Sequence, residues 1–256
     1  MFRPLFRASP SLAVALAVLL PAGGCGRHGQ PGSAPQPASG GSVHYLDLPQ
    51  VEARAGTAVA ILIDTSGSMG QSVRGADGRD APKYQIARRA LERIIQHTAE
   101  WKKRHPDHHL ELAIYRFSSS VSPVLAMGEF DPDKARAALN DIPAPHGGTA
   151  IGAALEEGYR ALFQSGCTRK FIVCVTDGEN TSGPPPSVVA VNLDQQTSGA
   201  VRLEFVAFNT SARQFQFLHR VNGQVVEAAN GPQLEAELKK IYEQRILKAE
   251  ADEPEK

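Results

Sequence analysis

The sequence predicts an α/β sandwich of three layers, a mainly parallel central sheet flanked by helices. Three observations carry this. Strand-length apolar runs alternate with segments whose apolar residues recur every three or four positions. The runs TAVAILID (57–64) and KFIVCVTD (170–177) lack a polar face, as strands covered on both sides require. Both runs end in an acid, Asp64 and Asp177, and ligands bind such sheets beyond the carboxyl ends of the strands.

The elements follow in order. After the 57–64 strand, Tyr84, Ala87, Leu91, Ile94, Ile95, Thr98 and Trp101 mark a helix over 82–104, with Pro82 suited to its first turn. Lys83, Arg88 and Arg89 read as its wet face. HLELAIYRFSS (109–119) is a second strand. VSPVLAMG (121–128) is an edge strand, because Pro123 has no N–H to donate to a central ladder. DPDKARAALNDI (131–142) and 149–164 are helices, the latter with Ile151, Leu155, Tyr159 and Leu162 on one face. KFIVCVTD is followed by a helix over about 185–195, the strand VRLEFVAFN, a helical piece at 211–219, the strand GQVVEAA and a helix over 232–246. The three histidines of HPDHH (His105, His108, His109) read as a solvated helix-to-strand turn. Cys174 reads as a small buried hydrophobe and Cys167 as a loop thiol. Seven residues of extended chain put their Cα atoms roughly 20 Å apart, which excludes a disulfide between them.

The ends of the chain differ in composition. MFRPLFR carries Arg3 and Arg7 and no acid, LAVALAVLL (12–20) is apolar, and PAGGC ends at Cys25. This is the pattern of a signal peptide over 1–24, and the apolar run is short of the roughly 20 residues that span a bilayer. Small residues directly before Cys25 resemble the lipobox of bacterial lipoproteins, in which the cysteine becomes the lipidated N-terminus; Ala22 stands where that pattern usually has Leu, so a plain cut is the alternative. Gly26 rather than Asp after the cysteine leans, by the same resemblance, toward the outer membrane, facing the periplasm or the cell surface. Residues 25–50, rich in Gly, Pro, Ser and Gln, read as a flexible tether. The domain is expected over 51–246, with a charged tail at 247–256. The 256-residue chain balances 27 basic against 27 acidic side chains, so no nucleic-acid partner is indicated.

The predicted rim carries the chemistry. Asp64, Ser66 and Ser68 alternate through one loop, and side chains two apart on extended chain can point the same way. PHGGTAIG (145–152) brings Thr149 to the start of a helix, and Asp177 ends a strand. All are hard oxygen donors, which suit Mg²⁺, Mn²⁺ or Ca²⁺ rather than zinc or copper.

DTSGSM, GGTAIG and VTDGEN, in this order, resemble the von Willebrand factor type A domain with its metal-ion-dependent adhesion site. The resemblance covers about 55–245 and implies a Rossmann-like fold. It implies metal contacts from Ser66, Ser68 and Thr149, with Asp64 and Asp177 acting directly or through water, and a Glu or Asp from a protein or peptide partner completing the shell. The expected role is therefore binding, not catalysis. Two alternatives stay open. One is a metal-dependent envelope hydrolase, for which Glu179 and His146 are the neighbouring general-base candidates; the other is a structural lipoprotein subunit that makes no use of the ion.

Overall fold

The computed structural model describes residues 45–247. The signal peptide, Cys25, the tether up to residue 44 and the tail beyond 247 lie outside the described residues. Among the described residues, no helix is long and apolar enough to cross a membrane.

Among the described residues, eight strands and five α-helices follow in this order: β1 (Arg54–Asp64), β2 (Ser72–Arg74), β3 (Asp80–Pro82), α1 (Lys83–Arg104), β4 (Leu110–Phe117), β5 (Val121–Glu129), α2 (Pro132–Asn140), α3 (Ile151–Ser165), β6 (Cys167–Thr176), α4 (Pro186–Gln196), β7 (Val201–Phe208), β8 (Gly223–Ala228) and α5 (Gly231–Ile241). The main sheet has the order β5-β4-β1-β6-β7-β8. All its pairings are parallel except that of β5, the edge strand that carries Pro123. The expected sandwich with a mainly parallel sheet is the fold observed.

Both sheet faces are buried, and β1 shows why its sequence is apolar without interruption. Val59, Ile61 and Ile63 join a core beneath α1, α2 and α5. Ala58, Ala60 and Leu62 alternate into a second core with Ile151, Leu155 and Tyr159 of α3 and Leu193 of α4. Each large apolar side chain so enclosed stabilises the fold by about 1.5–3 kcal/mol. From β1 the chain crosses to β4 on one side, and it later returns to β6 on the other. The crevice at the carboxyl ends of β1 and β6 is therefore the switch point of the sheet, where such folds bind ligands.

Several expectations need correction. The folded unit begins before residue 51: Leu46 and Leu48 are buried in the second core, and the Leu46 backbone exchanges hydrogen bonds with the Gln196 side chain. A small antiparallel hairpin, β2–β3, precedes α1, and its three-residue strands are too short to show a period in sequence. The last helix passes into a π-turn over Tyr242–Ile246. Cys167 is not a loop thiol but the fully buried first residue of β6, and Cys174 is buried further along the same strand. The histidines are not simply solvated. His105 stacks on Trp101 with ring centroids 4.5 Å apart, and His108 tilts against both rings. His109 Nε2 lies 2.9 Å from Glu111 Oε1, and the Cys167 sulfur falls within 4.8 Å of both side chains. Glu111 is also ion-paired to Arg54, so this buried carboxylate at the amino ends of the strands has two partners.

Candidate metal centre

Asp64 closes β1 and is fully buried. Its Oδ1 accepts the Ser66 N–H at 2.7 Å, and its Oδ2 accepts the Thr176 hydroxyl at 2.6 Å. Both carboxylate oxygens are thus fixed by the protein, one by its own loop and one by the neighbouring strand β6. Burial pushes the Asp64 carboxyl up to about 6; the bonds from Thr176 and Ser66 work against that rise, and the Asp177 charge adds a little to it.

Past Asp64 the chain tightens into one 3₁₀ turn over Gly67–Gly70, with Met69 plugged fully into the first core. Anchoring Met69 inward turns the flanking hydroxyls to the rim. Ser66 Oγ and Ser68 Oγ are 3.1 Å apart, and Ser68 Oγ donates to Asp177 Oδ1 at 2.7 Å. A third loop bears Thr149. It is tied to the first by hydrogen bonds from His146 N to Thr65 O (2.9 Å) and from Gly67 N to Gly147 O (3.0 Å). Gly147 adopts φ +76°, and a Cβ there would lie 2.8 Å from Ser119 Oγ, so only glycine lets this loop close. A Cβ on Gly178 would sit 3.8 Å from Ser68 Oγ and 3.9 Å from Thr149 Oγ1. The two hydroxyls therefore border the same small space, which glycine leaves open. All five expected residues converge at this crevice.

The donors fit a hard divalent cation. Hydrogen bonds of 3.1 and 2.7 Å already gather the Ser66, Ser68 and Asp177 oxygens side by side, and all are the hard oxygen type that such an ion takes.

Three further residues support the site, and the sequence pattern does not mark them as part of it. Asn180 Oδ1 accepts from Ile151 N at 2.8 Å, capping α3, while Thr181 Oγ1 accepts from Thr149 N at 2.8 Å and Thr181 N donates to Thr149 O at 2.9 Å. Thr149 is thus held from the Asp177 loop. Asn180 therefore caps α3 from another loop, while Thr181 grips the Thr149 backbone.

Lys83 is the third, and it overturns the expectation of a wet helix face. It is 3% exposed, and its Nζ donates to Asp177 Oδ2 at 2.8 Å and to Gln71 Oε1 at 3.1 Å. The hairpin causes this. It returns the chain so that Lys83 N donates to Gln71 O at 2.9 Å, which begins α1 directly beside the rim. By contrast, His146 and Glu179 are exposed.

Residues 59–179 match the family model of the von Willebrand factor type A domain. With the sheet order and the crevice above, this identifies the class: the chain carries a von Willebrand factor type A domain. Among solved structures, the PilB minor pilin of Streptococcus sanguinis superposes with TM-score 0.62 at 16% identity, over 80% of this chain and 65% of the pilin. A von Willebrand factor type A protein of Catenulispora acidiphila gives 0.57 at 19% identity, over 73% of this chain and 42% of that one. The pilus adhesin SpaC of Lactobacillus rhamnosus GG gives 0.57 at 12% identity, over 79% and 32%. These likenesses concern the fold, and the chain spans less than two thirds of the length of the pilin it resembles. No curated protein sequence matches the chain.

Proposed function

We propose that this domain binds a protein or peptide partner through a divalent cation held by Asp64, Ser66, Ser68, Thr149 and Asp177. The observation that carries the reading is the chain of hard oxygens from Ser66 through Ser68 to Asp177, gathered side by side by hydrogen bonds. The donor set favours Mg²⁺, with Mn²⁺ or Ca²⁺ as substitutes.

The residues divide the work. Asp64 has both oxygens engaged by Ser66 and Thr176, so it orients the serine loop and adds charge from behind. Ser66, Ser68 and Thr149 offer neutral hydroxyls, and Asp177 offers Oδ1. When bound, the ion supplies a Lewis-acid point able to accept a carboxylate oxygen from a Glu or Asp of the partner. A binding role needs no general base, and the two candidates for one, His146 and Glu179, stand in solvent. A pilin and a pilus adhesin among the structural neighbours agree with a surface-interaction role. In this reading the chain is exported, lipidated at Cys25 and held at the cell envelope, on the outer membrane, by its anchor and tether.

Calorimetric titration of Mg²⁺, Mn²⁺ and Ca²⁺ into the full chain, beside Asp64→Ala, tests the site. Saturable binding by the parent and none by the variant is expected. Equal binding by the two proteins would show that the site is misassigned.

A further inference from the structure

We infer that Lys83 is a built-in counter-cation that sets the charge of the metal site, so that the site holds its divalent ion firmly only when an anionic ligand joins it. The inference rests on the metal-binding reading above and deepens it.

The geometry is specific. The Lys83 side chain is 4% exposed and that of Asp177 is fully buried, so their ion pair is shielded from solvent. Asp177 splits its carboxylate between two partners: Oδ2 accepts from Lys83 Nζ at 2.8 Å, and Oδ1 faces Ser68 Oγ at 2.7 Å. The ammonium thus approaches from the side away from the serines, and Oδ1 stays with the donor set. Gln71 takes a second Nζ hydrogen at 3.1 Å, and the Gln71 carbonyl accepts the Lys83 N–H, so side chain and backbone are both positioned.

The charge count follows. Asp64 and Asp177 bring two negative charges, and Lys83 removes one. A divalent ion in a site of net −1 keeps an excess positive charge, which a carboxylate neutralises. In a site of net −2 the excess vanishes, and with it the electrostatic demand for an anionic partner. Repulsion between the ammonium and a divalent ion in one largely buried site is worth at least about tenfold in ion affinity, even at an effective dielectric near 20. Lys83 is therefore a positioning residue that moves part of the ion's binding onto the partner.

The test titrates Mg²⁺ into the full chain with and without sodium acetate, at constant ionic strength, for the parent, Lys83→Gln and Lys83→Arg. Lys83→Gln removes the charge and keeps a hydrogen-bonding head; Lys83→Arg keeps the charge. We expect Lys83→Gln to bind Mg²⁺ at least about tenfold more tightly than the parent. Acetate should tighten Mg²⁺ binding to the parent and to Lys83→Arg, and have little effect on Lys83→Gln. A purely structural lysine would instead lower the melting temperature of Lys83→Gln with no gain in Mg²⁺ affinity, and that result overturns the inference while leaving the metal site standing. If parent and Lys83→Gln both fail to bind, with and without acetate, the metal reading falls and this one with it. Should Lys83→Gln not fold, the parent decides alone, because Mg²⁺ affinity indifferent to acetate is incompatible with a site that awaits an anion.

Discussion

Asp64 and Asp177 look alike in sequence, each an acid after an apolar run, yet their surroundings give them different duties. Asp64 is enclosed, and each of its oxygens accepts one hydrogen bond, from the Ser66 N–H and from the Thr176 hydroxyl. Asp177 is shared between an ammonium and a serine. Truncating Asp64 therefore does two things at once. Asp64→Ala should lose Mg²⁺ binding in calorimetry, and it should also lower unfolding free energy by about 1–3 kcal/mol, since two buried donors lose their acceptor. A urea titration of the metal-free protein reads the second effect separately. An unchanged urea midpoint would mean that the two hydrogen bonds contribute nothing to the fold.

At the scale of elements, α3 begins just after Thr149, and two close contacts fix its first turn against the loop that follows β6. Its first amides are capped by Asn180 from another loop, at 2.8 Å to Ile151 N and 3.4 Å to Gly152 N. Asn180→Ala should lower stability by about 1 kcal/mol, the usual effect of losing a cap, and should weaken Mg²⁺ binding, because the same loop grips the Thr149 backbone. Calorimetry and chemical denaturation of one protein sample give both numbers, and a loss of stability with unaltered Mg²⁺ affinity would separate the cap from the site. Gly152 is the second contact. A Cβ there would collide with the Pro184 carbonyl oxygen, a backbone atom without freedom to swing aside. Gly152→Ala should destabilise by about 1–3 kcal/mol through overpacking; a melting curve superimposable on the parent's would show that the loop before α4 yields.

For the molecule as a whole, the order of strands turns scattered residues into one site. β1 and β6 lie side by side although about a hundred residues separate them, so Asp64 and Asp177 meet at the switch point of the sheet. The second core also reaches further toward the N-terminus than the composition of residues 25–50 implies. Leu46 is 3% exposed and Leu48 is 8% exposed. A chain beginning at residue 51 should therefore be less stable than one beginning at residue 43, by about 1.5–3 kcal/mol for each leucine removed. Paired urea titrations of the two truncations check this, and equal midpoints would return the boundary to residue 51. What the sequence by itself determined was the set of apolar strands and amphipathic helices and the parallel α/β architecture, and it singled out the five oxygen-bearing residues of the proposed site, because period, burial on two faces and donor chemistry are local properties of the chain. Only the tertiary structure decided the rest. Lys83 looks like any first-turn helix lysine, yet a hairpin too short to show a period aims it at an acid nearly a hundred residues away. Asn180 looks like a turn residue and caps a helix that precedes it in the chain. Leu46 and Leu48 sit in tether-like sequence and still find a groove. In each case the deciding partner is distant along the chain, and pairing at long range follows from packing rather than from local pattern.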